Sequence, residues 1–277
     1  MINLKNPPYD HIFLDRLFQN ILEDDIPSPG AKYPDGDYFQ YPEDLSVSGY
    51  RICWQLLNDG VDVKRFRFLV LNILLKGGIE SVEQRQHFKY VRARFKHLRF
   101  ACANFDRRHR YPWSLNLVTS LMGHMQDAFK NRQIARTRIF GTILFLTILP
   151  AFYALVRFQM RSFLPDSNKN MIAYHQRENA KIDSIVRKEK ITAHDFHDLR
   201  KIISRRVAFN DTFRVLHSSD YLDKISLYLA DINGEMGNYH DRLVEKNISK
   251  PSSYKEDIFN LDRNISNRII YLISGNR

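Results

Sequence analysis

The sequence predicts an all-α protein built from two pseudo-repeated antiparallel helical bundles. Three observations carry that prediction. Apolar residues recur at steps of three and four over most of the chain, which is the pattern of helices with one buried face. Strand-type alternation bounded by tight turns is scarce. Finally, two blocks of sequence occur twice in the same order: residues 87–105 align with 195–213 at an offset of 108, and the blocks opening at Leu121 and Glu235 align at an offset of 114. The aligned positions are Phe88 with Phe196, Val91 with Leu199, Arg92 with Arg200, Phe95 with Ile203 and Phe105 with Phe213, then Met122 with Met236, Gly123 with Gly237 and Asp127 with Asp241. A six-residue change in offset is a difference in loop length, which surface connections tolerate.

Helical pattern covers residues 9–23, 45–58, 63–76, 82–105, 113–133, 138–162, 170–188, 193–216, 221–246 and 255–273. After the first helix comes a connector, 24–44, rich in Pro, Gly and Asp and therefore loop. Gly77 and Gly78 mark a turn before the fourth helix. That helix holds "KYVRARFKHLRF" (89–100), with Lys89, Arg92, Arg94, Lys96, Arg99 and His97 and no acid. Phe88, Val91, Phe95, Leu98, Cys102 and Phe105 form its apolar stripe, and beside them Arg85, Lys89, Arg92, Lys96 and Arg99 form a cationic rail. Residues 139–156 carry no charge over 18 positions, at the threshold for a membrane span, and basic flanks on both sides give no orientation bias. A central bundle helix, apolar all round, is the expected reading. Breaks at 162–170 and 247–257 bracket the later helices, and Thr192 is the expected N-cap of the helix that follows it. The expected halves are 1–135, with motif helix 85–105, and 136–277, with motif helix 193–213.

The composition is that of a folded chain: 277 residues, 44% hydrophobic, 26% charged, net charge +11 and pI near 9.6. Its charge is uneven. Residues 1–62 hold 11 acids against 4 bases, 63–138 hold 17 bases against 4 acids, and 139–277 hold 21 against 16. Such a distribution points to a polyanionic partner. Cys53 and Cys102 give neither a disulfide framework nor a four-ligand zinc site and fit packing in a reducing cytoplasm. The opening "MINLKNPPYDHIF" shows no secretory pattern, so a cytoplasmic location is expected.

No Gly-rich phosphate loop, Gly-x-Ser-x-Gly elbow or catalytic Cys/His spacing occurs, so no catalytic residue, cofactor or metal is expected. "HDFHD" (194–198) could hold a metal through His194 and His197, but the cluster better fits a helix start with acids near the dipole's positive end. Asp127 and Asp241 are expected beneath the rail, orienting arginines, with Gly123 and Gly237 permitting close helix approach.

The pattern His-x-x-Arg-Lys with further basic residues, followed by Gly-x-x-x-Asp, resembles the CHAD family, the conserved histidine α-helical domain. "HDLRKIISRR" (197–206) carries His197, Arg200, Lys201, Arg205 and Arg206, and "KYVRARFKHLR" carries Arg92, Lys96 and Arg99, with Lys89 in place of the signature histidine. "LMGHMQD" and "EMGNYHD" are similar to the family's Leu-Gly-x-x-x-Asp helix start. Ser204 and Val207 depart from the basic residues expected there. The resemblance implies one compact CHAD-like domain that binds inorganic polyphosphate without catalysis, in a basic groove or channel between its two bundles, in the cytoplasm and on polyphosphate granules. Its implied ligands are Lys89, Arg92, Lys96, Arg99, His197, Arg200, Lys201 and Arg205. Alternatives are a nucleic-acid-binding module, a metal-dependent phosphohydrolase at His194 and His197, and a protein tethered to a membrane by 139–156; no protein partner is indicated, and a membrane is not the expected one.

Overall fold

The computed structural model describes residues 8–24, 26–34, 41–249 and 258–274, without the side chains of 244–249. Parts of the opening stretch, of the 24–44 connector, of the third break and of the last expected helix therefore lie outside the described residues. Within them the chain is all-α: α1 (His11–Glu23), α2 (Leu45–Gly60), α3 (Val63–Lys76), α4 (Val82–Phe105), α5 (Trp113–Lys130), α6 (Ile134–Thr147), α7 (Pro150–Arg161), α8 (Asn168–Val186), α9 (Ala193–Leu216), α10 (Asp220–Ser249) and α11 (Arg263–Ser274). A two-residue ribbon, β1 (Ile191–Thr192) against β2 (Ile258–Phe259), is antiparallel.

Local chemistry explains the boundaries. Asp62 accepts from Arg65 N at 3.0 Å to start α3, and Gly77, at φ +73°, ends it in the left-handed conformation glycine adopts freely. Ser81 caps α4, and Thr192 forms a capping box with Asp195 at the head of α9, as its position predicts. The single helix expected over 138–162 is two helices, bent by 69° at their junction. Pro150 is the reason: it lacks an N–H, clashes with the preceding turn and instead opens α7.

Two compact units result, Met1–Phe18 with Ser46–Asp166, and Gln19–Leu45 with Ser167–Arg277. The division falls at Asp166 and not at the expected 135/136, because α6 packs on α3 and α5, and α7 returns to α5. The described residues of the 24–44 connector likewise go with the second unit. Asn233 Nδ2 donates to Asp24 O at 3.1 Å, Arg268 Nη2 to Ala31 O at 3.3 Å, and Asn168 Nδ2 to Tyr41 O at 2.7 Å.

The repeated apolar positions are the cores. Phe88, Val91, Phe95, Leu98, Cys102 and Phe105 of α4 are at most 2% exposed, and so are Phe196, Leu199, Ile203 and Phe213 of α9. Both cysteines are buried and reduced, and burial pushes the Cys102 thiol up to about 12, so they act as packing residues.

Candidate functional site

In the first unit α4 and α5 run antiparallel, and the cationic rail lies along their seam. Arg92 rests over Gly123, where a Cβ would lie 3.4 Å from Nη2. One α4 turn from Lys96, Arg99 Nη1 donates to Asn116 Oδ1 and Thr119 Oγ1, both at 3.2 Å. The Arg99 guanidinium also lies 4.8 Å from the Tyr111 ring centroid, and Lys96 Nζ lies 5.5 Å from that of Phe100, within cation–π range. Lys89 is exposed near the N-terminal end of the rail. Arg94, outside the rail, stacks on Phe18 at 3.4 Å.

The second unit repeats the seam between α9 and α10. His197 faces the His240 ring at 6.4 Å, Arg200 lies over Gly237, where a Cβ would be 3.7 Å from Nη2, and Ser204 Oγ donates to Asn233 Oδ1 at 3.0 Å. Arginine thus lies over glycine at both pairs the repeat aligns; outside the repeat, Arg94 also lies against Gly60, where a Cβ would be 2.5 Å from its Nε. The two offsets of the alignment thus meet in space in both units.

The electrostatics of the two seams differ. Helices α4 and α5 themselves carry the bases Arg85, Lys89, Arg92, Arg94, Lys96, Arg99 and Lys130 and the acids Glu83 and Asp127, with Asp15 acting on Arg94 from α1. In the second unit acids meet the cations. Asp198 takes Lys181 at 2.6 Å and Lys201 at 3.6 Å. Arg205, expected as a ligand, instead forms an ion pair with the buried Glu178, with Nε donating to Oε1 at 3.0 Å. Arg206, which sequence reasoning left out of the site, also faces Glu178, at 3.7 Å, and donates to His175 O and Asn179 Oδ1, both at 2.8 Å. No local cue marks this arrangement, since Glu178 lies 27 residues from Arg205 on another helix.

One further expectation is corrected. Asp127 and Asp241 are exposed and do not underlie the rail; Asp241 Oδ1 lies 3.7 Å from His240 Nδ1. His194 is an exposed side chain 3.7 Å from Asp198, while His197 turns to His240, so the two histidines do not converge. Among the described residues no three His, Cys, Asp or Glu side chains gather as a metal site.

His197 is shifted down to about 4, first by loss of solvation in its crowded position, then by the charges of Lys201, His240 and Arg200, with Asp198 opposing. It is neutral at pH 7. A separate cavity of about 990 Å³ opens in the second unit beside Tyr33, Tyr41, His175, Arg206, Phe209 and Phe213; none of the expected ligands retained above lines it. No family model matches the chain, and neither the curated proteins nor the solved structures compared with it give a match.

Proposed function

We propose that the chain is a divergent CHAD-type protein that binds inorganic polyphosphate without catalysis, along Lys89, Arg92, Lys96 and Arg99, with His197, Arg200 and Lys201 as a weaker counterpart. The observation that carries this reading is the twice-built seam in which an arginine lies over a glycine beside further cations. Cations about 5–6 Å apart on one helix side suit a repeating anion, and arginine adds paired donors for phosphate oxygens. Nucleic acid is less favoured. Phe88, Phe95 and Phe105 are buried in the core, so they cannot serve as stacking platforms for bases.

The test is a titration with long-chain polyphosphate at two salt concentrations, with single-stranded and duplex nucleic acid as competitors. Changing Arg92 and Lys96 together to Gln is expected to lower affinity and to flatten the dependence on log salt by about 0.7–0.9 for each phosphate that is no longer neutralised. Arg200→Gln acts in the same direction. Arg205→Gln should instead lower stability, because its partner is buried Glu178. Preference for nucleic acid, or unchanged binding by the Gln variants, overturns the proposal.

A pH dependence follows from His197. The folded protein holds it neutral down to about 4, whereas an unfolded chain protonates it near 6.5. The unfolded state therefore binds more protons between these values, so this contribution to stability is present above about 6.5 and is lost as pH falls toward 4. A bound polyanion reverses the balance by favouring imidazolium. Polyphosphate affinity should rise as pH falls through the same window, with proton uptake measurable by calorimetry in buffers of different ionisation enthalpy. His197→Gln should flatten the profile.

A further inference from the structure

Helix α6 is built inside out. Its buried face is Thr137, Gly141, Leu144 and Thr147, three of them small or polar, and it meets α3 and α5 closely. A Cβ at Gly141 would lie 3.1 Å from Met125 Cε and 3.4 Å from Leu74 Cβ. Apart from Leu144, large aliphatic side chains point outward: Ile139 is 58% exposed, Ile143 41% and Leu146 54%. With Ala135 and Thr142 they make a continuous outward stripe at helical spacing. The expectation of a helix buried all round is corrected here. In an aqueous globule the arrangement is the reverse of an amphipathic helix.

Three details say what covers this stripe. Every threonine of α6 spends its hydroxyl on its own helix: Thr137 on Gln133 O at 3.0 Å, Thr142 on Arg138 O at 2.9 Å and Thr147 on Leu144 O at 2.8 Å. Thr142, on the exposed face, therefore satisfies its donor without water. Small residues toward neighbouring helices and large aliphatics outward are the packing helices adopt against lipid. Charge supplies the third detail. From residue 128 to 165 there is no acid, while Lys130, Arg132, Arg136, Arg138, Arg157 and Arg161 are basic, and Arg136 and Arg138 are exposed in the first turns of α6. No single helix among the described residues is long and apolar enough to cross a membrane, and only α6 and α7 taken together, bent by 69°, match a span in length and composition. A one-sided apolar stripe with flanking arginines suits a helix lying in the bilayer surface.

We propose that the outward face of α6 docks on the surface of an anionic phospholipid bilayer, with Ile139, Ile143 and Leu146 in the headgroup–acyl boundary and Arg136 and Arg138 at lipid phosphates. The aliphatic stripe supplies apolar burial and the arginines supply selectivity for negative headgroups. This surface is separate in sequence and chemistry from the cationic rail on α4.

The experiment is co-sedimentation of the full chain with vesicles of phosphatidylcholine alone or mixed with phosphatidylglycerol. The wild type should bind the anionic vesicles preferentially. Ile143→Glu, and the more exposed Ile139→Glu as a second variant, should each lose about tenfold or more in partitioning while keeping the helical circular dichroism and polyphosphate binding. The Arg92, Lys96 double Gln variant should still bind vesicles. Three results overturn the proposal: equal or no binding of the two vesicles by the wild type, undiminished binding by folded glutamate variants, or binding lost in the double Gln variant, which would assign lipid to the rail. A concentration-dependent dimer abolished by Ile143→Glu, without vesicle binding, also overturns it and gives the face to a second copy.

Discussion

Replacing Glu178 by Ala is expected to cost the second unit about 3–5 kcal/mol, the penalty for leaving buried charge without its partner. Glu178 accepts from Arg205 and from Tyr174 OH at 2.9 Å and faces Arg206 at 3.7 Å, and all three charged side chains are largely buried. Alanine would remove the carboxylate that both guanidinium groups face. Glu178→Gln keeps an acceptor for Arg205 and should cost less. The measurement is the urea midpoint by far-UV circular dichroism; unchanged midpoints in Glu178→Ala would mean that the arginines find solvent and that this pair contributes little.

Phe95→Ala should be equally severe in the first unit, about 3–5 kcal/mol, by emptying core volume on α4. Phe95 is wholly buried, yet it sits one residue from Lys96 and three from Arg92 on the same helix. The contrast is informative because both tryptophans of the chain, Trp54 and Trp113, belong to the first unit. Tryptophan fluorescence should follow the Phe95→Ala transition and be much less sensitive to Glu178→Ala, while circular dichroism follows both. A Phe95→Ala protein as stable as the wild type would show that the α4 stripe is not core.

The parts legible in the sequence share one property: their signal is local or repeated. The α4 stripe shows itself through period, the α9 cap through Thr192 and Asp195, and the seam through two aligned blocks. What escaped depends on direction or on distant partners. Hydropathy over 139–156 reveals the apolar content of α6 but not which side faces its neighbours, since threonine and glycine inside balance isoleucine and leucine outside. Pro150 marks the break, but the length of the uncharged run around it masks that signal. Arg205 looks like one more cation of a basic helix, and only the fold brings α8 with Glu178 against it. Asp127 and Asp241 recur in register, but register fixes a position along a helix, not its depth.

The unequal seams have a consequence for how each unit responds to its surroundings. Cations of the second unit come with their own counter-charges, so that unit carries its neutralisation within the fold. Seven bases against two acids along α4 and α5 make the first unit self-repelling at low ionic strength. An anion that settles on the rail relieves this repulsion, and to the extent that it binds the folded form more tightly than the unfolded chain, occupancy and stability are linked. On the proposed function, the first unit should then be firmer where polyanion or salt is abundant and looser where both are scarce, a difference that thermal melts across a salt series would show.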